Sequence, residues 1–188
     1  MLLLNSNVKH SHTSSGYNER REQTEEGVAI VAKHHPEVES MREVTMEMLE
    51  EVKEEIPEVS FRRCKYIIEE NERVHEIVKA IGKDDFVSFG EVLKHAQEGM
   101  RTEYEITCPE IDFLADFANE RDDVLGARMM GGGFGGCTIN LIKRDSESVF
   151  KEEISKAYKE AFGLDLTPIS VEISEGVERI PHDTNAHS

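Results

Sequence analysis

Cations, cysteines and long apolar runs are scarce in this sequence. It has 22 Lys and Arg residues against 39 Asp and Glu residues, which gives a formal net charge of −17. A surface this negative repels phosphate backbones and anionic lipids, so we expect no nucleic-acid or membrane partner. No apolar run approaches the length of a membrane span, and the apolar start at Met1–Leu4 is too short for a signal peptide. These absences favour a soluble cytoplasmic protein.

The residue patterns typical of metal sites and catalytic triads are also missing. The three cysteines, Cys64, Cys108 and Cys137, are widely spaced and form no CxxC pair that would hold zinc. Their odd number, without a signal peptide, indicates a reducing compartment. The histidines show no HExxH-type spacing, and no Ser/His/Asp arrangement stands out. We therefore predict no metal site within this chain.

Apolar periodicity predicts helices through most of the chain and strands at its start and towards its end. The predicted helices cover residues 14–33, 45–56, 60–82, 84–103 and two segments that begin near Thr107 and Asp145. The predicted strands are Leu2–Leu4, 127–130, 137–142 and the alternating residues Ile169, Val171 and Ile173. Because the helices precede and interrupt the strands without regular alternation, we predict an α+β fold with a mostly antiparallel sheet and helices packed on one face. A buried strand at the first residues also suggests that the natural chain extends upstream.

Two helix starts and one buried helix face are predicted in more detail. Ser60 is expected to cap the long helix that ends at Gly82. Thr107 with Glu110 matches a capping box at the start of the fifth helix. The inward stripe of the long helix is expected to be Phe61, Cys64, Ile68, Asn71, Val74, Val78 and Ile81.

The most conspicuous segment is a loop with five glycines among its six residues, Gly131-Gly132-Gly133-Phe134-Gly135-Gly136. Glycines at this density cost folding entropy, so a function is expected to justify them. They permit positive φ and let backbone N–H groups approach an anion, as in a phosphate-binding nest. The loop is neither a Walker loop nor a Rossmann fingerprint, since it precedes a strand and opens no helix. A mobile hairpin loop without a ligand is the alternative interpretation.

A second polar segment follows the first predicted strand. It runs from Asn5 to His10 and continues at Tyr17–Arg21. The Tyr17 side chain offers a ring that can stack on a sugar and a hydroxyl that can bond to one. The alternative is an ordinary strand-to-helix connection with Arg20 and Arg21 on a solvated face.

These segments resemble motifs of galactokinases, which belong to the GHMP superfamily of small-molecule kinases. Residues 5–10 with 17–21 are similar to the SNVxH…YNxR stretch, and residues 62–70 to the FRRxxH(V/I)xxE helix, with Lys65-Tyr66 departing near its histidine. Residues 104–112 resemble the YxVSCPELD segment. Residues 126–137 match the third GHMP motif, with Met130 where threonine is common. The four motifs occur in the family's order, and the resemblance spans nearly the whole chain.

The resemblance implies a fold and a role for each matched residue. It implies the ferredoxin-like fold of a GHMP kinase C-terminal domain at residues 36–180, after the end of an N-terminal kinase domain and a linking helix at 1–35. Residues 181–188 are expected to form a disordered tail. The implied sugar-binding residues are Tyr17, Lys9, Gly132 and Gly133. The implied nucleotide-binding residues are Gly131, Gly132, Gly133, Phe134, Gly135 and Gly136.

The family also has three segments that this chain does not contain. They are a GRVNLIGEHxDY sugar-binding segment, a PxxxGLSSSA phosphate loop and an aspartate within GxMDQ that acts as base. Phosphoryl transfer needs two positioned substrates, a magnesium site and charge stabilisation. The resemblance therefore implies galactose, ATP and Mg²⁺ as ligands of a complete enzyme that includes an N-terminal kinase domain. This chain alone is expected to hold no catalytic residue, to bind none of these ligands and to show no measurable turnover.

Two other functions stay open at this point. One is a GHMP kinase for a related sugar, such as N-acetylgalactosamine or arabinose, because the segments that choose the sugar are mostly missing. The other is a non-catalytic regulatory protein that binds a sugar or a nucleotide and keeps the kinase fold.

Overall fold

The computed structural model describes residues 1–8, 13–173 and 176. Its four strands are β1 (Leu2–Asn5), β2 (Val124–Met130), β3 (Cys137–Ile142) and β4 (Thr167–Ser170). Its six α-helices are α1 (Thr13–His34), α2 (Met46–Glu51), α3 (Glu58–Ile81), α4 (Phe86–Thr102), α5 (Pro109–Asn119) and α6 (Glu147–Phe162). A short 3-10 turn, Arg144–Ser146, precedes α6. The predicted tail at 181–188 lies outside the described residues.

The four strands form one antiparallel sheet in the order β2-β3-β1-β4. The first strand therefore lies inside the sheet, with Leu2 opposite Asn140 on one side and Ser170 on the other. An irregularity between Val124 and Gly126 interrupts the β2–β3 register. The observed architecture confirms the predicted α+β fold with an antiparallel sheet.

One face of the sheet carries the main core. Leu2 and Leu4 are fully buried there, and they pack with side chains from α5 and α6. Successive strand residues point to opposite faces, so Leu3 and Ile139, which lie side by side in the register, face the other way and are only half-buried. The helices α5 and α6 thus cover a single face, as the sequence predicts.

A second core holds the helical half of the molecule together. It joins the end of α1, the α1–α2 connection, α2 and the first half of α3. Its buried members are Val31, Val38, Val44, Leu49, Val52, Ile56, Cys64 and Ile68. Burial raises the pKa of the Cys64 thiol to about 12, so this cysteine is a small packing residue and not a nucleophile.

Helix α4 lies directly against the edge strand β2. A Cβ added to Gly90 would lie 2.1 Å from the Leu125 carbonyl oxygen, which shows that the two backbones touch. The buried Gln97 side chain completes this contact, because its Oε1 accepts the Met129 N–H at 2.8 Å and its Nε2 donates to Asp112 Oδ1 at 3.1 Å. A side chain of α4 thereby provides a hydrogen-bond partner for a backbone N–H group of the edge strand β2.

Both predicted N-caps, Ser60 and Thr107, are wrong, whereas Gly82 is the C-cap of α3 as predicted. The N-cap of α3 is Pro57, and the Ser60 hydroxyl instead donates to Glu26 Oε2 at 2.5 Å, which ties α3 to α1. The N-cap of α5 is Cys108, and the Thr107 hydroxyl donates to Asp112 Oδ2 at 3.1 Å. Ser60 bonds to a residue of another helix, and α5 begins one residue later than predicted, so neither side chain caps its helix.

The second half of the predicted α3 stripe is also wrong. Val74, Val78 and Ile81 are 56, 63 and 50% exposed, because α1 and α2 pack only against the first half of α3. The last strand ends at Ser170, earlier than predicted, and Ile173 is 83% exposed. Among the helices of the described ranges, none is long and apolar enough to cross a membrane.

Candidate functional site

The glycine-rich loop, residues Gly131–Gly136, connects β2 to β3. Most of it adopts backbone conformations that residues with a side chain avoid. Positive φ angles occur at Gly131, Gly133, Phe134, Gly135 and Gly136. Only glycine takes such angles at low cost, so the composition of the loop follows from its shape. These glycines thus take the positive φ angles that their residue type permits. The expected ligand-binding role of the loop stays a prediction.

The loop is held at its middle by Phe134. The Phe134 N–H donates to the carbonyl oxygen of Ile106 at 2.6 Å, and its ring packs against Gly16 of α1, where an added Cβ would lie 2.5 Å from the ring. Next to it, a Cβ on Gly133 would lie 2.6 Å from the same Ile106 oxygen. Phe134, the single non-glycine residue of the loop, is thus its anchor.

The end of the loop is held by the segment after β1. Both the N–H and the hydroxyl of Ser6 donate to the Gly136 carbonyl oxygen, at 2.9 and 2.8 Å. Ser6 is fully buried, and its own carbonyl accepts the Tyr158 hydroxyl at 2.9 Å. Burial raises the pKa of Tyr158 to about 12, so this phenol stays a hydrogen-bond donor over the physiological range.

The beginning of the loop is open. An added Cβ at Gly131 or Gly132 would meet no atom within 4 Å, and both residues are exposed. They border a cavity of about 650 Å³ that is lined by Leu3, Val8, Met130, Cys137 and the loop itself. Glycine at an open position lets a ligand approach the backbone N–H groups directly. The arrangement fits an anionic group such as a phosphate at this end of the loop.

A polar network lies behind the strand that leads into the loop. Arg128 of β2 donates to both carboxylate oxygens of Glu70, at 2.8 and 3.0 Å, and the Tyr66 hydroxyl also donates to Glu70. Burial opposes the charge on Glu70, but these hydrogen bonds outweigh it and lower the pKa of the carboxyl group. The ion pair joins β2 to α3, and the Tyr66 ring stacks on Tyr104 with centroids 4.9 Å apart.

Three arginines converge on the segment that ends α4 and leads to Ile106. This segment, residues 102–106, is here called the anchor turn. Arg20 donates to the carbonyl oxygens of Tyr104 and Glu105, at 2.9 and 3.0 Å. Arg62 donates to the Thr102 carbonyl at 3.1 Å, and the buried Arg63 donates to the Glu103 carbonyl and to the Glu105 carboxylate. We call Arg20, Arg62 and Arg63 the arginine cluster.

The sequence does not reveal the arginine cluster. A solvated face is one sequence-based interpretation for Arg20, yet its side chain is only 12% exposed. One signal could have pointed to the cluster. Its arginines lie in two of the motifs that resemble the kinase family, and the anchor turn overlaps the start of a third motif. The fold brings the three motifs together.

The structure separates the predicted sugar-binding residues. Tyr17 is 56% exposed and lines a small pocket of about 150 Å³ with Arg21, Thr24, Glu25 and Tyr104, apart from the cavity at the glycine loop. Gly132 and Gly133 lie in the loop itself. Lys9 lies outside the described residues. The sugar-binding roles of these four residues stay predictions.

The described residues contain no group of three or more His, Cys, Asp or Glu side chains that could hold a metal ion. Open glycine backbone, by contrast, fits a phosphate group.

The sequence is similar to one family model and to galactokinases of several bacteria. Residues 77–160 match the family model described as GHMP kinases C terminal. A galactokinase of Thermotoga neapolitana is 42% identical over 178 residues, which are 95% of this chain and 48% of that protein. A galactokinase of Clostridium beijerinckii is 35% identical over 181 residues, or 96% of this chain and 46% of the relative. The chain thus spans about half the length of the curated relatives it matches.

Solved structures give the same result. The crystal structure of Lactococcus lactis galactokinase complexed with galactose superposes with a TM-score of 0.82 at 31% identity, covering 89% of this chain and 43% of that one. The structure of L. major mevalonate kinase in complex with R-mevalonate gives a TM-score of 0.54 at 15% identity, over 86% of this chain and 39% of that one, and shows the shared fold alone.

Proposed function

We propose that this chain serves galactose phosphorylation as the C-terminal portion of a galactokinase, a GHMP kinase whose sequence and fold it resembles. In this proposal the complete enzyme transfers the γ-phosphoryl group of ATP to the C1 hydroxyl of galactose. The observation that carries the proposal is identity of 42% to a galactokinase over 95% of the chain. The likeness to a galactokinase that holds galactose supports the choice of sugar.

The glycine loop is the part of this chain that contributes to the reaction. Its open end, Gly131 and Gly132, offers backbone N–H groups to a phosphate, and its anchored end fixes where those groups lie. In this proposal the loop borders the nucleotide phosphates and the sugar. When bound, ATP supplies the phosphoryl group and Mg²⁺ neutralises its charge.

In this proposal the remaining parts of the reaction come from an N-terminal kinase domain. A base for the sugar hydroxyl, a phosphate loop and metal ligands are expected there. Since this chain spans only about half the length of the galactokinases it matches, we expect the purified chain to show no galactose-dependent ADP formation. Sustained ADP formation by this chain alone would contradict that expectation.

A chimeric enzyme tests the proposed function directly. The matched portion of the Thermotoga neapolitana galactokinase is replaced by this chain, while the rest of that enzyme is kept. We expect ATP consumption that depends on galactose, measured with a coupled ADP assay, and galactose 1-phosphate as product. Parallel assays with N-acetylgalactosamine and arabinose decide between galactose and the related sugars.

Calorimetry on the isolated chain addresses the regulatory alternative. We expect no saturable heat signal with galactose or ATP, because the loop forms only one wall of the site. A saturable signal at micromolar ligand, together with an inactive chimera, would favour a binding protein over an enzyme.

A further inference from the structure

The middle of the glycine loop is held by one peptide group outside it. The Phe134 N–H bonds to the Ile106 carbonyl, and Gly133 packs on the same oxygen. Ile106 is buried, and its Cβ lies 2.8 Å from where a Cβ on Gly133 would be. The Ile106 carbonyl therefore holds the middle of the loop, while Ser6 holds its end.

The turn that presents this carbonyl has an unfavourable backbone conformation. Glu105, directly before Ile106, has φ of 52°, which is rare for a residue with a side chain. Such a conformation persists only when surrounding contacts hold it in place. The end of α4 also leaves backbone carbonyls without helical partners at this point.

The arginine cluster supplies those contacts. Its three guanidinium groups accept no bond themselves and donate to backbone carbonyls at Thr102, Glu103, Tyr104 and Glu105. Positive charge at a helix C-terminus is favourable, because it faces the negative end of the helix dipole. Cations thus surround the end of α4, and a carboxylate of the anchor turn lies among them.

That carboxylate is Glu105 itself. Its side chain receives hydrogen bonds from Arg63 and Arg62, and Arg20 lies 3.8 Å from it. The Arg63 hydrogen bond lowers the pKa of the Glu105 carboxyl group, so it is charged at neutral pH. The Arg63 side chain is only 2% exposed, and loss of the carboxylate would leave a buried cation with neutral partners.

We propose that Glu105 is a positioning residue for the glycine loop: its ion pairs with the arginine cluster fix the anchor turn so that Ile106 holds Phe134. The inference deepens the proposed function, on which its catalytic part rests. Glu105 itself touches no substrate in this scheme. It acts through Ile106 and Phe134, and it sets the geometry in which the loop meets the nucleotide and the sugar.

Amide hydrogen exchange in the full 188-residue chain tests this without any enzymatic activity. In Glu105→Gln we expect the Phe134 N–H to exchange about 10-fold faster or more, because the charge-assisted hydrogen bonds are lost. Amides in the core of α6 should keep their rates. The matched control is Glu153→Gln, since Glu153 is 48% exposed against 44% for Glu105 and also pairs with an arginine.

The outcomes are distinct. An unchanged Phe134 rate in Glu105→Gln overturns the proposal. An equal acceleration of every amide also overturns it, because Glu105 would then stabilise the whole fold and not the loop. If Glu105→Gln does not fold, the milder Arg62→Gln, at a side chain that is 31% exposed, should show the same selective change at Phe134.

The chimeric enzyme provides a second measurement. Glu105→Gln should lower its kcat by about 10-fold or more, with a smaller change in KM, because a displaced loop misaligns bound substrates. Glu153→Gln should stay within about twofold of the parent enzyme. A kcat for Glu105→Gln close to the parent overturns the proposal. An inactive parent chimera would count against the proposed function, while the exchange experiment would still decide the role of Glu105.

Discussion

Substitution of Gly133 by alanine is the most direct test of how the glycine loop is held. Gly133 has φ of +89°, and its added Cβ would lie 2.6 Å from the Ile106 oxygen and 2.8 Å from the Ile106 Cβ. The neighbouring Gly132 is the matched control, because an added Cβ there meets nothing within 4 Å. The two variants add the same methyl group to adjacent positions of one loop.

The expected loss in the free energy of unfolding follows from two separate energetic costs. An alanine held at positive φ costs about 1–2 kcal/mol, and crowding a packed contact by one methyl costs about 1–3 kcal/mol. The loop is partly exposed and can relax by releasing Phe134, which places an upper limit on the strain. We therefore expect Gly133→Ala to lower the free energy of unfolding by about 2–3 kcal/mol, and Gly132→Ala to change it by less than about 0.5 kcal/mol.

Urea denaturation followed by circular dichroism of the helices measures this difference, since the chain has no tryptophan. For a chain of 188 residues, the expected loss corresponds to a fall in Tm of roughly 4–12 °C. Equal stability of Gly133→Ala and the unchanged chain would refute the close contact with Ile106. An equally large loss in Gly132→Ala would show that the open end of the loop is not open.

Three further predictions concern the body of the fold. Gly90→Ala should destabilise the chain by about 2–4 kcal/mol in urea denaturation despite better helix propensity, because its Cβ would lie 2.1 Å from the Leu125 oxygen; unchanged stability would contradict the backbone contact. Glu70 has a lowered pKa through Arg128 and Tyr66, so its contribution is present above its ordinary pKa of 4.5 and is lost as the pH falls below it. Glu70→Gln should therefore remove part of the acid sensitivity of the urea midpoint, and an unchanged pH profile would count against this. Cys64 should resist a thiol reagent in the folded chain at pH 8 and react after unfolding; rapid reaction of the folded chain would contradict its burial.

The sequence predicts the regular elements well where local pattern and tertiary packing agree. The strand at Cys137–Ile142 lies where its alternation puts it, and α1 differs from its predicted range by a residue at each end. In α1 the buried Val31 lies on the apolar side that the sequence predicts. In β3 the outcome is the opposite, because the polar Thr138 and Asn140 are fully buried and Ile139 is only half-buried. Glycine spacing at Gly131–Gly136 likewise predicts the unusual backbone path, since a loop with ordinary negative φ angles would need far fewer glycines.

Failures occur where a distant partner decides the outcome. The periodicity of Val74, Val78 and Ile81 is that of a buried stripe, but burial needs a second element, and α1 and α2 end their contact earlier along α3. Ser60 has the chemistry of a cap, yet Glu26 lies within reach of its hydroxyl in the fold. The convergence of Arg20, Arg62 and Arg63 is invisible along the chain, because the residues lie on two helices and meet only through the packing of α1 on α3.

Tyr17 and the glycine loop line separate pockets, yet helix α1 carries Tyr17 and also packs against the loop. Gly16 touches the Phe134 ring, and Arg20 lies on the same helix and holds the anchor turn. Helix α1 therefore contacts the loop at Phe134 and supports the turn that anchors it. A ligand that shifts the start of α1 by contact with Tyr17 would press on Phe134, because glycine at position 16 leaves no space between them. The two predicted binding segments are thus connected through packing and not through a shared cavity.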